Sequence, residues 1–374
     1  MSATTPTRRR GPWPRRRGAV RGVAVLVALA ALAAVAAACT DDGTNASGSG
    51  SSKVPAKEVT IVTYDAFALP ESAAKAFEGQ TGAKIKVVQS GDAGGMLTKA
   101  LLSAGAPEGD VLFGVDNTLA TRAVQDTLLE PYTPTDISSV PASLRLSGRP
   151  GEVLTPIDQG DVCVNVDASW FARKGIPPPT TMADLVDPRY KDLLVVESPV
   201  TSSPGLAFLI GTVQASGEGW QDYWKRLDAN GVRVRPSWDD AYENDYTVSG
   251  GDRPLVVSYA SSPPAEVVYS EGKRTEPAST VMTDSCVSQV EYAGVLAGAE
   301  HPALAKQLVA FMLSPTWQEA LPLSNFVFPA VPGTKLPAEF RKWAVQPGSS
   351  RTIDAAEIGS KRDEWIEQWR SIME

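Results

Sequence analysis

Histidine is nearly absent from the chain, which holds one, His301, among 374 residues. Ser-His-Asp and Cys-His nucleophiles each need a histidine beside the attacking group. His301 precedes Pro302 at a predicted helix start, where we expect it at the surface. The scarcity argues against both kinds of catalysis and, since the cysteines are not clustered, against a zinc site. We therefore expect no metal and no cofactor.

The apolar runs are too short for a membrane-spanning helix, which needs about 20 residues. The longest covers residues 23–38 and follows a segment, 1–21, with seven arginines and no acid. This order is typical of an export signal. Ala36-Ala37-Ala38-Cys39 resembles a bacterial lipobox, in which the cysteine is diacylated and becomes the new N-terminus. A transmembrane anchor is the alternative, and Sec and twin-arginine export both stay open. Either way, we expect the body outside the cytoplasm.

Basic side chains are in the minority, with 35 lysines and arginines against 43 acids and a net charge of −8. Without the seven arginines of the signal, 28 basic side chains remain against 43 acids, a balance of −15. A surface of this sign repels nucleic acid and mildly favours cationic ligands. We expect no nucleic-acid partner.

Cysteine is also scarce, with Cys39, Cys163 and Cys286. If Cys39 carries lipid, an even pair remains in an oxidising compartment, where a disulfide is expected. Both members lie in strand-like segments, 161–166 and 285–290. Two buried free thiols are the alternative.

Strand-like and helix-like segments alternate through the body, an order that indicates a parallel sheet with helices on both faces. About 318 residues in two such series, separated by a less regular run at 126–156, fit two lobes better than one sheet. The predicted strands are 59–64, 84–88, 110–115, 162–166, 193–196, 232–234 and 255–259, and the main predicted helices are 95–103, 199–214, 219–227 and 238–246.

Three predicted strands end in aromatic or hydroxyl side chains, at 64–67, 201–204 and 258–263. Ser-Ser-Pro, present twice, is a helix-start signal with serine as N-cap and proline in the first turn. Ligands of open α/β sheets bind beyond the carboxyl ends of strands. We predict a site there for a flat, optionally phosphorylated small molecule, with rings for stacking and helix amides for an anion. An ordinary strand-turn-helix of the core is the alternative.

Eight motifs along the body resemble those of the thiamine-binding proteins of bacterial ABC importers. They lie at 63–67, 114–117, 201–206, 237–242, 255–263, 311–315, 325–329 and 365–369. The resemblance implies an α/β, two-lobed, type II-like periplasmic-binding-protein fold whose strands cross twice between the lobes. It implies that the cleft between the lobes binds thiamine or its phosphates. It also implies a monomer that delivers its ligand to an ABC permease and its ATPase subunit, anchored to the outer face of the cell membrane by lipid on Cys39.

The resemblance further implies ligand contacts in the cleft. Tyr64, Trp238 and Tyr259 would offer stacking and cation–π faces to thiamine's aminopyrimidine and cationic thiazolium. Asp92 would offset the cation or bind the exocyclic amine, and the serines would hold a hydroxyethyl or phosphate end. Core positions for Tyr64 and Trp238, and a cap role for Asp92, are the alternatives. The full predicted set is Tyr64, Asp92, Ala93, Ser202, Ser203, Trp238, Tyr259, Ala260, Ser261 and Ser262.

The chain departs from the family pattern at several aromatic positions. Phe67 is followed directly by Ala68, without the family's Trp-Gly-Pro insertion, so one cleft tryptophan is missing. Phe326 and Phe328 stand where a tryptophan and a tyrosine are usual, and the crossing segment 158–163 lacks aromatics. Cys163 and Cys286 align with the two crossing strands, and we predict a disulfide between them at the hinge.

The predicted organisation has five parts. Residues 1–38 are a signal peptide with lipobox, 39–56 a flexible tether, 57–160 the first part of lobe 1, 161–287 lobe 2, and 288–374 the return to lobe 1 with C-terminal helices.

Other functions on this fold stay open. The ligand could be another small cation or phosphorylated solute, such as a polyamine, a phosphonate or iron, but related iron receptors use adjacent tyrosines and this chain has no such pair. An exported enzyme would need an activated nucleophile or a metal cluster, and neither is visible.

Overall fold

A computed structural model describes residues 57–352 and 354–374. The predicted signal peptide, Cys39 and the tether lie outside the described residues. The described strands are β1 Lys57–Thr63, β2 Ala83–Gln89, β3 Val111–Asp116, β4 Thr155–Asp167, β5 Leu194–Glu197, β6 Arg233–Arg235, β7 Leu255–Tyr259, β8 Ser279–Val295 and β9 Phe328–Pro329. They form one mixed sheet in the order β2-β1-β3-β8-β4-β7-β5-β6, with β9 against β4.

Helices alternate with these strands, and 3₁₀ turns fill the run that was predicted to be irregular. Asp240–Asp245 is a short π-helical turn. None of the helices within the described ranges is long and apolar enough to cross a membrane. The α-helices are α1 Glu71–Thr81, α2 Ala93–Leu102, α3 Ala120–Ala123, α4 Gly148–Val153, α5 Ala168–Lys174, α6 Ser203–Ser216, α7 Trp220–Ala229, α8 Pro263–Val268, α9 Pro302–Phe311, α10 Pro315–Gln318, α11 Leu321–Ser324, α12 Ala338–Trp343 and α13 Ala355–Met373.

The predicted α/β class is confirmed. Strand β1 pairs in parallel with both β2 and β3, and β5 pairs in parallel with both β6 and β7. The first three strands alternate with α1 and α2, in agreement with the predicted alternation of strands and helices. Strand β7 has the predicted bounds, 255–259. Its core residues Leu255, Val256 and Val257 are fully buried, as an apolar run in a covered parallel sheet should be.

Two long antiparallel strands, β4 and β8, join the halves of the sheet, and we call them the crossing strands. The C-terminal end of β8, residues 291–295, pairs with β3, whereas the C-terminal half of β4, residues 162–166, pairs with β7. Lobe 1 holds β1, β2 and β3, and lobe 2 holds β5, β6 and β7. The predicted lobe boundaries at 160/161 and 287/288 fall inside the crossing strands. The assignment of each segment to one lobe stays a prediction.

The sulfur atoms of Cys163 and Cys286 are bonded, with 4.3 Å between the Cα atoms. The bond lies at a register shift, because Val162 faces Val287 while Val164 faces Met282. The extra residues of β8 bulge there, and the Val164 amide donates to Ser285 Oγ at 2.7 Å. The structure therefore has the predicted pairing, and the disulfide fastens a β-bulge at the middle of the crossing strands.

Helix α13 packs against α3 of lobe 1 and α7 of lobe 2. The rings of Trp369 and Trp224 pack edge-on, with 5.7 Å between their centroids. Gly359 lies against α3, because a Cβ added there would stand 2.6 Å from the Thr121 hydroxyl oxygen. Trp220 and Trp224, one helical turn apart on α7, are both buried. Helix α13 therefore supplies core residues next to both lobes.

Candidate functional site

A cleft of about 260 Å³ lies at the carboxyl ends of β1 and β7. Residues from both lobes line it, including Tyr64 after β1 and Trp238 after β6. Three of the predicted contact residues, Ser202, Ala260 and Ser261, do not line the cleft and are at most 1% exposed. The seven predicted residues that line it are Tyr64, Asp92, Ala93, Ser203, Trp238, Tyr259 and Ser262.

Trp238 forms part of the wall in lobe 2. Its ring stacks on Tyr242 with 4.7 Å between centroids and 14° between planes. The indole Nε1 donates to Ser258 Oγ at 2.9 Å. These two contacts fix the ring orientation at the cleft, so the aromatic surface is preorganised for a flat ligand.

Asp92 joins the lobes. As the N-cap of α2, it accepts from the Ala93 amide at 2.6 Å through Oδ1, so the cap alternative is correct. Its Oδ2 accepts from the Trp238 amide at 2.9 Å, across the cleft. Burial raises the pKa of Asp92 to about 6, although the hydrogen bonds from Trp238, Ala93 and Ser202 oppose the rise. Whether Asp92 also contacts a ligand stays a prediction.

The floor of the cleft is a tyrosine beside two buried carboxyl groups. Tyr64 donates through its hydroxyl to Glu291 Oε2 at 3.2 Å. Gly114, at φ +97°, allows this tyrosine to lie close, because a Cβ there would stand 2.3 Å from its ring. The pKa of Glu291 is raised to about 7, mainly because the group is buried and secondly because the Asp116 carboxyl is nearby. Burial, then Glu291, raise the pKa of Asp158 well above its ordinary value.

A second set of acids surrounds the opening, and we call Asp65, Asp92, Asp239 and Glu243 the mouth group. All four line the cleft. Burial first, then Glu243, Asp92 and Asp65, raise the pKa of Asp239 to about 7. Among the described residues that line the cleft there is no lysine, arginine or histidine. A cleft lined by aromatic rings and carboxyl groups suits an organic cation.

The sequence of residues 108–358 matches the family of bacterial extracellular solute-binding proteins. The chain belongs to that family. The thiamine-binding periplasmic protein of Salmonella typhimurium is 28% identical over 317 residues, which cover 83% of this chain and 92% of the relative. That of Haemophilus influenzae is 25% identical over 283 residues, which cover 75% of this chain and 80% of the relative.

Solved structures of solute-binding proteins share the fold. A periplasmic thiamin binding protein is 27% identical, with a TM-score of 0.75 and coverage of 85% of this chain and 96% of that one. Iron-bound HitA from Pseudomonas aeruginosa, 21% identical, has a TM-score of 0.68 and coverage of 84% and 99%. The similarity to HitA shows a shared fold and nothing about the ligand of this chain. The predicted two-lobed binding-protein fold is thus confirmed.

The N-terminus of α8 differs from the prediction. Ser262 is at the N-cap, but its hydroxyl contacts Ser258 Oγ at 3.0 Å and does not cap the helix. Pro263 and Pro264 have no N–H, and the amides of Ser262 and Ala265 already donate to Tyr259 O and Ser262 O. The prediction that α8 offers free amides to an anion is therefore wrong, because the prolines that start the helix also remove its donors.

Ser203 is also engaged within the protein. Its hydroxyl donates to Asp116 and accepts from Gln289 Nε2 at 3.0 Å. The contact with Asp116 joins α6 of lobe 2 to β3 of lobe 1. Ser203 therefore helps to hold the lobes together, and a ligand at this position meets a hydroxyl whose proton is already donated.

Five acids at or behind the cleft were not among the predicted ligand contacts. Glu291 and Asp158 lie inside the crossing strands, where their orientation follows from pairing and not from a local motif. Asp239 and Glu243 belong to the acid-rich first turn after Ser237, a signal that was visible in the sequence. Asp65 lies in the first family motif and lines the cleft.

Proposed function

We propose that this protein is the extracytoplasmic solute-binding component of an ABC importer and that it binds thiamine in the cleft. One observation carries the proposal: five aromatic rings and five carboxyl groups line one cleft between the lobes, without a basic side chain among the described lining residues. The names of the 28% identical relatives agree with this ligand.

The chemistry of the cleft fits a flat aromatic cation. Cation–π contacts contribute about 0.5–2 kcal/mol each, and Tyr64, Trp238 and Tyr259 supply rings. The carboxyls offset the positive charge of a thiazolium and accept from an exocyclic amine. Lobe closure around the ligand would exclude water from these contacts.

Iron(III) fits the cleft less well. Burial raises the pKa of Tyr64 and Tyr259 well above the ordinary value, which opposes the phenolate form that a ferric ion needs. Among the described residues, no three His, Cys, Asp or Glu side chains are grouped as metal ligands. We therefore propose an organic cation, and a binding role in place of an enzymatic one.

We also propose the cellular setting. The mature chain is exported, carries lipid on Cys39, and stands off the outer face of the cell membrane on the tether of residues 40–55. It acts as a monomer that passes its ligand to a permease with an ATPase subunit. The basic segment, the apolar run and the lipobox support this part of the proposal.

Calorimetric titration tests the ligand. We would titrate the chain from residue 39 onward, with Cys39→Ser, with thiamine at micromolar protein. The expected result is one site per chain. No heat and no change in melting temperature with thiamine would refute the proposed function.

Trp238→Ala tests the site. The loss of its aromatic face should weaken thiamine binding at least tenfold, equivalent to about 1.4 kcal/mol. Trp343→Ala, at a tryptophan that does not line the cleft, is the matched control and should bind normally. If Trp238→Ala folds and binds as the wild type does, the tryptophan is a packing residue of the wall only.

A further inference from the structure

We propose that Gly94, near the start of α2, is a positioning residue for ligand binding. The absence of a side chain there lets α2 of lobe 1 dock on the backbone of lobe 2, and this docking sets the spacing between the two walls of the cleft. The inference rests on the proposed function and deepens it, because it names a residue that controls binding without touching the ligand.

The docking joins the first turn of α2 to two loops of lobe 2. The Gly95 amide donates to Thr201 O at 3.1 Å. Asp92 Oδ2 accepts from the Trp238 amide at 2.9 Å. The two loops are themselves linked, because Thr201 Oγ1 donates to Pro236 O at 2.6 Å. Lobe 2 therefore presents a joined backbone surface to the start of α2.

Gly94 lies where the two backbones come closest. It is buried, and a Cβ added there would stand 2.8 Å from Thr201 O and 3.1 Å from Val200 O. A Cβ does not come within 3.0 Å of another heavy atom, and these obstacles are backbone atoms that no side-chain rotation can move away. Glycine weakens a helix relative to alanine, and the close approach to lobe 2 accounts for its presence here.

The docked segments carry both walls of the cleft. Asp92 and Ala93 line it from lobe 1, and Ser203 and Trp238 line it from lobe 2. Gly94 does not line the cleft, so a methyl group at residue 94 would act by moving the walls apart and not by filling the space of the ligand. Binding groups must be held within about 0.5 Å of their productive positions, so such a shift weakens binding that needs both walls.

Calorimetric titration with thiamine of the chain from residue 39 onward, with Cys39→Ser, tests the inference on two alanine variants of this parent chain. Gly94→Ala should bind thiamine at least tenfold more weakly than the parent chain. Gly95→Ala is the matched control, because it makes the same change one residue along α2 and keeps the amide, and its methyl group would have no atom of lobe 2 within 4 Å. It should bind within about twofold of the parent chain. Parent-like affinity in Gly94→Ala, or an equal loss in both variants, would overturn the inference and leave the proposed function standing.

The distance between the lobes gives a second readout. Nitroxide labels at Lys75→Cys on α1 and Asp222→Cys on α7, two exposed positions, report this distance by pulsed electron paramagnetic resonance. At saturating thiamine, Gly94→Ala should show a longer mean distance than the parent chain and Gly95→Ala. An unchanged distance would overturn the inference. Loss of folding in Gly94→Ala would also overturn it, because lobes that only move apart keep their cores.

The proposed function can fail separately from the inference. If the parent chain binds no thiamine, the proposed function is refuted. The label distances of the parent chain, Gly94→Ala and Gly95→Ala without ligand then decide whether Gly94 sets the spacing of the lobes.

Discussion

Asp92 shows how much one side chain does at this site. It caps α2, accepts from the Trp238 amide of the other lobe, and adds its charge to the mouth group. The sequence suggested either a cap or a ligand contact, and the structure has the cap together with an interlobe hydrogen bond. Asp92 therefore lies in the cleft at a point where the two lobes are in direct contact.

The raised pKa values of the cleft acids predict pH-dependent binding. Burial raises the pKa of Asp92 to about 6 and those of Asp239 and Glu291 to about 7. A cationic ligand favours the ionised carboxyls, so affinity for thiamine should rise at least threefold from pH 5.5 to pH 8. Titrations in buffers of different ionisation enthalpy should show proton release on binding near pH 6.5. A flat affinity with no proton release would contradict the prediction.

The stability of the ligand-free protein should change with pH in the opposite direction to the affinity for thiamine. The folded state keeps protons on these acids that the unfolded chain has lost above about pH 4. Stability therefore falls as pH rises from about 4 to 7. The groups that act on them are Asp65, Glu243 and Asp240 around Asp239, and Asp116, Asp158 and Tyr64 around Glu291. Melting temperatures measured across this pH range should fall without thiamine as the pH rises. The increase in melting temperature caused by thiamine should grow over the same range.

Site residues on loops and strand ends were predictable, because a ring or hydroxyl that follows an apolar strand stands out in the sequence. Tyr64, Trp238 and Tyr259 are examples, and all three line the cleft. Glu291 was not predictable. It lies in an apolar strand, and only the pairing of β8 with β3 and β4 turns it toward Tyr64.

At the scale of elements, the crossing strands were recognised only in part. The predicted 162–166 covers the C-terminal part of a 13-residue strand, and the predicted 285–290 covers the middle of a 17-residue strand. Pro156, Asp158 and Gly160 interrupt the apolar pattern of β4, and each disfavours a strand locally. Pairing with β8 along nearly the whole length overrides these preferences. The short strand β7 needed no such help and was predicted with the correct bounds, whereas β5 and β6 lie one residue later than predicted.

The disulfide should stabilise the crossing strands. Replacement of both cysteines, Cys163→Ala with Cys286→Ala, should lower the free energy of unfolding by about 2–4 kcal/mol, measured by urea unfolding. Met282→Leu, a buried substitution on the same bulge that keeps side-chain volume, is a packing control and should cost less than about 1.5 kcal/mol. Two reactive thiols in the denatured, unreduced Cys39→Ser chain would contradict the bond.

The whole molecule is two lobes that share two strands and one C-terminal helix. The two-lobe arrangement was predictable from two α/β series in one chain. The docking of α13 on both α3 and α7 was not, because an amphipathic helix does not specify its partners. Helix α13, in the segment 288–374 that is predicted to return to lobe 1, packs against both α3 and α7.

The proposed lipid anchor on Cys39 can be tested on the full chain. Cys39→Ser should move the protein from the membrane fraction to the soluble fraction, because no acyl chain can then be attached. Thr40→Ser keeps the lipobox cysteine and is the matched control, which should stay with the membrane. Equal membrane association of Cys39→Ser and the control would point to the apolar run itself as the anchor.

The position of α13 also affects when the protein can finish folding during synthesis. Ile358, Trp365, Ile366 and Trp369 belong to the same buried cluster as Leu119 of lobe 1 and Trp224 of lobe 2. The ribosome makes α13 after every other described element, and domains complete their folding only once their core residues are available. Neither lobe can therefore bury its full core until α13 has left the ribosome.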